Sequence, residues 1–310
     1  MIGIQAIFSA IPAAPGVETA VRAQTVGVRR SELEERLGFT HLSRRYSGQD
    51  ASDLCLAAAH RLFTALALET AHIDCLAVVT QNPDGYGIPH TGAVVQRKLG
   101  LPESSASFDL GLGGSGYVYG LSLMKGFMEG NALRRGLLFT AEPSSRMLDE
   151  LDPQTGLLFG DAATVTLLSA EPKWIIGRSD FGTAGVRGRA LEVRMELGGR
   201  LHLDEGALRD FALEYIPRSA TRALELNGLR MADIDRVIVH QGGKALVELL
   251  GERLGAAAKT GFHAAGYGDT SSSSIPIVLE QNLASTDRRV LISGFGSGLS
   301  WATMVLSKTD

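Results

Sequence analysis

FDLGLGGSGYVYGL, from Phe108 to Leu121, joins an apolar strand-like run to an apolar helix-like run through GLGGSG, Gly111 to Gly116. Two chemistries use such a junction. A G-x-G-x-x-G turn can cradle a dinucleotide phosphate on the helix N-terminus, and an elbow can hold a catalytic nucleophile. The dinucleotide pattern also needs an acid about 20 residues further on, to hold a ribose. Glu129 falls at a helix end and Glu142 falls too far along. The motif sits at the third or fourth strand instead of opening a first βαβ unit. A lone match of this kind is weak. The hydrolase elbow G-x-S-x-G fails as well: Gly113 and Ser115 fit, but Tyr117 stands where the last glycine belongs. Ser115 reads more simply as the N-cap of a helix over 115–129.

Outward from the elbow, strands and helices alternate. Ile2–Pro12 reads as a strand, 32–38 as a short helix stopped by Gly38, and Asp53–Leu68 as an amphipathic helix capped by Ser52. Strands are expected at 75–80, 105–112, 136–141, 162–168, 235–240, 289–293 and 301–307. Helices are expected at 90–99, 207–226, 244–254 and 274–283. Such alternation implies an α/β fold with a parallel or mixed sheet covered on both faces. Two pairs of segments share a plan. SFDLGLGGSGYVYGLSL from 107 matches DRVIVHQGGKALVELL from 235, and FGDAATVTLLS from 159 matches GFGSGLSWATMVLS from 294. The chain therefore reads as two copies of one unit, 1–170 and 171–310. A site at their junction would receive strand ends from both.

The 310 residues are 45% hydrophobic and 21% charged, with a net charge of −4 and no long run of one sign. Nothing there favours a nucleic acid or a membrane as partner. Cys55 and Cys75 are too few for a disulfide framework, so a cytoplasmic location is the expectation. The N-terminus lacks the basic start of a signal peptide. No uninterrupted apolar run approaches the ~20 residues of a membrane span. The seven histidines show no metal-like spacing, so no metal site is expected. His240 ends the apolar strand VIVH before two glycines that leave its ring unobstructed. Asp269, in GYGDTSSSSIP, has a plain role as cap of the next helix.

Four stretches, FDLGLGGSGYVYGL (108–121), FGDAATVTLL (159–168), VIVHQGGKALVELLGERLG (237–255) and YGDTSSSSIP (267–276), closed by GFGSGLSW (294–301), resemble in order and spacing the β-ketoacyl-acyl carrier protein synthase III family of the thiolase superfamily. The resemblance covers essentially the whole chain. It implies a thiolase-like fold, two duplicated halves stacked as a five-layer α-β-α-β-α sandwich, and a homodimer. It implies acyl thioesters of coenzyme A or an acyl carrier protein as substrates, with no tightly bound cofactor. It also implies a Cys-His-Asn triad in which the Cys becomes an acyl thioester at a helix N-terminus. Carried over, the His falls on His240, the Asn on Asp269 and the Cys on Gly114, which has no thiol. The oxyanion N–H groups fall on Gly114 and Ser297. Arg36 falls near the thioester or pantetheine entrance, as does Gly243, where the family often has Asn. A basic carrier-docking position falls on Ala245, although Lys244 and Arg253 remain nearby.

Asp269 beside His240 would stabilise an imidazolium, which suits a general base toward a hydroxyl or amine. Neutral donation to an enolate suits it less. Members with Cys-His-Asp resemble acyltransferases that make esters. The expectation is thus an acyltransferase moving an acyl group from a thioester to a hydroxyl or amine, with His240 as base and Asp269 orienting it. The alternatives are decarboxylative condensation with a malonyl thioester, and an inactive thioester-binding subunit paired with an active relative. Gly114 leaves three explanations open: an engineered Cys-to-Gly change, a natural loss, and direct transfer without an acyl-enzyme. Ser115, one residue off the elbow, is a poor substitute nucleophile.

Overall fold

The computed structural model describes residues 1–195 and 198–309. Through the first half run β1 (Gly3–Ala10), β2 (Val17–Glu18), α1 (Thr19–Thr25), α2 (Arg30–Arg36), β3 (His41–Leu42), α3 (Ala51–Leu66), β4 (Cys75–Val79), α4 (Thr91–Leu99), β5 (Ala106–Leu110), α5 (Gly116–Gly130), β6 (Arg135–Glu142) and β7 (Ala162–Ser169). The chain continues through β8 (Trp174–Thr183), β9 (Leu191–Arg194), β10 (Arg200–Leu203), α6 (Glu205–Leu226), β11 (Arg236–Val239), α7 (Lys244–Arg253), α8 (Ser274–Asn282), β12 (Arg289–Gly296) and β13 (Ser300–Lys308). The large sheet has the order β11-β12-β13-β8-β1-β7-β6-β4-β5. It is mixed. β4 runs parallel to β5 and β6, and β11 parallel to β12, while the remaining pairs are antiparallel.

The sheet reads as two runs of the same plan, β4-β6-β7-β1 and β11-β12-β13-β8. They meet where β1 pairs with β8 over Gly3↔Ile175 and Ile4↔Trp174. Each run has an outer helical layer. Leu54, Ala58 and Leu62 of α3 pack on Leu76, Val78 and Phe139. Phe211, Ile216 and Ala220 of α6, with Val247 of α7, pack on Val237, Leu291 and Val305. The core between the runs holds Val118, Leu121 and Met124 of α5 and Ile275 and Val278 of α8. These pack against Ala77 and Val79 on one side and Ile238, Ile292 and Met304 on the other. The result is the expected α-β-α-β-α stack. Gly116 and Gly120 lie one turn apart on α5 and let it settle on the sheet. A Cβ on Gly120 would stand 2.8 Å from Leu138, and one on Gly116 would overlap Val79.

Two expectations are corrected. The cap of α3 is Asp50, whose N–H donates to Asp53 Oδ2 at 2.9 Å. Ser52 sits inside the helix with its N–H and hydroxyl both given to Asp84. Ser115 occupies the N-cap position of α5, as expected, but its side chain makes no capping hydrogen bond, because its hydroxyl is spent on Ser300 Oγ at 2.8 Å. The ten-residue strand β8, which joins the two runs, was not anticipated: its residues alternate weakly in polarity, WIIGRSDFGT, and most are only half-buried.

Replacing Met124 by Ala removes a fully buried side chain from the central layer. The unfolding free energy should fall by about 2–5 kcal/mol, read by denaturant titration.

Candidate active site

The elbow and the end of β12 meet glycine against glycine. A Cβ on Gly294 would overlap the Gly114 carbonyl oxygen, and one on Gly296 would stand 2.9 Å from the Gly114 nitrogen. A Cβ on Gly114 would overlap the Phe295 carbonyl oxygen and stand 3.0 Å from His240 Nδ1. The place of a side chain at 114 is therefore filled by β12 backbone. Among the described residues, the N–H groups of Gly114 and Ser297 have no hydrogen-bond acceptor. The Ser297 loop is tied to the elbow through Ser300, whose hydroxyl meets Ser115 Oγ and donates to the Ser297 carbonyl at 2.9 Å.

His240 follows β11 and is 5% exposed; Asp269 is 4% exposed. Nε2 of His240 lies 3.2 Å from Asp269 Oδ2, and Nδ1 lies 2.8 Å from Ser274 Oγ at the start of α8. A carboxylate can only accept, so the proton sits on Nε2 and Nδ1 accepts from Ser274. The edge of Phe295 packs against the ring, with centroids 5.1 Å apart. Asp269 does two things at once: Oδ1 accepts from the Ser271 N–H at 2.7 Å, as a turn-holding Asp does, and Oδ2 faces the imidazole.

A cavity of about 250 Å³ opens over these groups. Gly114, His240, Asp269 and Ser297 line it, as does Arg36, which pairs with Glu205. Its other walls are largely apolar, with Leu37, Leu158, Leu203, Leu208, Leu246 and Leu249. Gly243 stands outside the lining. It adopts a positive φ of 128° ahead of α7, near Arg36 and Leu37, while Gly242 and Ala245 reach the cavity. Ser115 is fully buried toward β13 and does not line it.

Sequence reasoning missed Ser274, Gln81 and Glu142. The TSSSSIP run gave no reason to prefer one hydroxyl over the next. Glu142 could have been noticed as a carboxylate ending an otherwise apolar strand, LLFTAE. It is 1% exposed, takes hydrogen bonds from Ser272 Oγ at 3.0 Å and Asn82 Nδ2 at 3.2 Å, and burial pushes its carboxyl up to about 8. Burial also pushes the Cys55 thiol well up and Cys75 to about 12, so neither is an available nucleophile. Among the described residues no group of three metal-ligating side chains converges, and no helix is long and apolar enough to cross a membrane.

Residues 108–185 match the family profile described as 3-oxoacyl-[acyl-carrier-protein (ACP)] synthase III, and residues 224–308 match that of its C-terminal part. The β-ketoacyl-[acyl-carrier-protein] synthase III of Deinococcus deserti is 32% identical over 287 residues, spanning 87% of this chain and 81% of that one. The enzyme of that name from Streptococcus sanguinis is 32% identical over 286 residues, 86% of each chain. A crystal structure of a 3-oxoacyl-(acyl-carrier-protein) synthase III superposes with a TM-score of 0.92 at 30% identity, covering 99% of both chains. Xanthomonas campestris OleA with bound lauric acid and lauroyl-CoA shares the fold at 17% identity, with a TM-score of 0.88 over 99% of this chain and 98% of that one.

The raised Glu142 carboxyl has a consequence for stability. The unfolded chain releases this proton near 4.5 and the folded chain near 8. Stability should therefore fall as pH rises from about 4.5 to about 8, by up to about 1.4 kcal/mol per pH unit from this group, and level off above. Glu142→Gln should flatten that slope in urea titrations run across the range.

Proposed function

Because the chain belongs to the β-ketoacyl-[acyl-carrier-protein] synthase III family, we propose that it is an acyltransferase. It takes its acyl group from a thioester of coenzyme A or an acyl carrier protein and passes it directly to a hydroxyl or amine, without an acyl-enzyme. One observation carries this reading. The space for a side chain at 114 is taken by the Phe295 carbonyl, while His240 and Asp269 remain paired and buried in the same cavity.

The thioester enters past Arg36 and lies along the leucine-lined cavity, its carbonyl oxygen at the unpaired N–H groups of Gly114 and Ser297. The acceptor's oxygen or nitrogen attacks the carbonyl carbon, and its proton passes to Nδ1 of His240, from which the Ser274 hydroxyl turns away to free the lone pair. Asp269 stabilises the imidazolium through Nε2–H. The tetrahedral oxyanion then collapses, the carbon–sulfur bond breaks, and His240 returns the proton to the departing thiolate. An ester or amide and a free thiol result. Asp269 disfavours decarboxylative condensation, because a carboxylate cannot donate a hydrogen bond to an enolate as an Asn amide can.

The missing thiol also favours a second reading, a thioester-binding subunit that performs no chemistry and pairs with an active relative. The two part in one experiment. Acyl-coenzyme A is mixed with a panel of alcohols and amines, thiol release is followed, and intact mass is measured at intervals. Direct transfer gives thiol release that depends on the acceptor, with no mass adduct, and His240→Ala should slow it about 10²-fold or more. A stable acyl adduct overturns direct transfer. Tight thioester binding with no turnover on any acceptor supports the subunit reading.

We also infer a homodimer. β5 is an edge strand paired only with β4, and the loop before α4 carries Tyr86 at 99% and Ile88 at 86% exposure. An open strand edge and apolar side chains held in solvent are what a symmetric interface would cover. Sedimentation equilibrium should give twice the chain mass of 32.9 kDa. A Tyr86→Glu, Ile88→Glu double variant should shift it toward the single chain.

A further inference from the structure

Burial divides the main cavity into a floor and a mouth. His240 and Asp269 are buried at the floor, while Leu208 of α6 and Leu246 and Leu249 of α7 are half-buried where the lining reaches solvent. Three helices far apart in the chain share this opening. α7 is pinned to the end of α2 by the Lys244 N–H, which donates to the Leu37 carbonyl at 2.9 Å. Between α2 and α6 the polar tie is an ion pair. Arg36, the last residue of α2, donates through Nη1 to Oε2 of Glu205, the first residue of α6. Both residues line the cavity, with side chains 32% and 37% exposed.

The pair is incomplete as a guanidinium contact. Nη1 meets the carboxylate, but Nε of Arg36 is buried with no hydrogen-bond partner among the described residues. A buried donor without a partner is costly, and a planar guanidinium fits two phosphate oxygens as well as it fits a carboxylate. Glu205 and an incoming phosphate are therefore rivals for one group. Glu205 is well placed to compete, because the start of α6 favours negative charge and the Asp204 cap fixes that turn, accepting from the Ala207 N–H at 2.9 Å. Arg209, the other arginine of the lining, is exposed and faces Asp210 at 3.0 Å. The side chain of Lys244 lies against Gly38, outside the lining. Two arginines at the mouth are thus answered by Glu205 and Asp210, and these four charges cancel.

We propose that Glu205 sets the donor preference of this site. By holding Arg36 it offsets the attraction that the mouth exerts on the phosphates of a coenzyme A thioester. Recognition then falls on the apolar walls and on the acyl-pantetheine arm, and a donor without phosphates is bound almost as well as one that carries them. The inference rests on the acyltransferase reading and adds the residue that decides between donors. Glu205 makes and breaks no covalent bond. Arg36 exchanges one anionic partner for another, and what the phosphate gains is reduced by the carboxylate it displaces. Specificity is a difference between affinities, and a rival carboxylate acts on one donor and not on the other.

The test uses two inert donors, thioether analogues of octanoyl-coenzyme A and of octanoyl-pantetheine. They share one arm, and the second carries no phosphate. Their dissociation constants are measured by calorimetry on the full chain at low salt. Glu205→Gln releases Arg36 and should tighten the coenzyme A analogue about two- to fivefold relative to the pantetheine analogue, the scale of one half-exposed ion pair. Glu205→Lys should move the ratio further in the same direction. Both gains should shrink in ~1 M salt, which screens exposed charges. In an Arg36→Gln background, Glu205→Gln should no longer move the ratio, because the two side chains act as one pair. A purely structural role for Glu205 would shift both analogues together. If both analogues bind and neither Glu205 variant changes their ratio, this inference fails and the acyltransferase reading stands. A ratio that moves equally without Arg36 also overturns it, since the pair is then not what selects. If neither analogue binds the wild-type chain, the acyltransferase reading fails and this inference with it.

Discussion

The contact on which the site depends is backbone against backbone. The elbow before α5 and the end of β12 approach so closely that Gly114, Gly294 and Gly296 leave no room for side chains. That approach places the N–H groups of Gly114 and Ser297 at one cavity, with Phe295 brought against the His240 ring. It also removes the volume a nucleophilic side chain at 114 would need. One packing constraint thus sets both the glycine at 114 and the position of the unpaired N–H groups beside it.

Around that contact the polar groups are held by partners from both halves of the chain. His240 is oriented on one side by Asp269 and on the other by Ser274, and Ser297 is tied through Ser300 to Ser115. Buried polar groups are costly unless satisfied, and satisfied networks fix a geometry. Glu142 is the exception in kind. It has hydrogen-bond donors but no cation beside it, so burial raises its carboxyl.

Much of the architecture was legible in the sequence because it rests on local periodicity. The continuous apolar runs CLAVV, RVIV and AATVTLL could only be buried strands, and the recurrence of strand, glycine turn and helix at 107 and 235 predicted two runs of one plan. β8 escaped because a half-buried seam strand with mixed polarity gives no clean period. The cap of α3 was misplaced by two residues because Asp50 and Ser52 are both good caps, and only the position of Asp84 shows which one Ser52 serves. Within the site, His240 and Asp269 were reached through the family resemblance, since their local context alone gave each a plain structural role. Ser274 and Glu142 were not reached, since their partners lie 34 and 130 residues away in the chain.

The sequence by itself determined the fold family and the residues at the elbow, because glycine patterns and apolar periods are properties of short stretches. It left open what the glycine at 114 meant: a missing thiol is compatible with an engineered gap, a silent subunit or a direct transfer. The tertiary structure adds a steric fact that bears on that choice. It brought the Phe295 carbonyl from 181 residues away into the space a thiol would need, and no local reading can supply such a long-range contact. It also revealed a second, smaller cavity beyond the elbow, because cavity walls assemble from segments that only packing brings together.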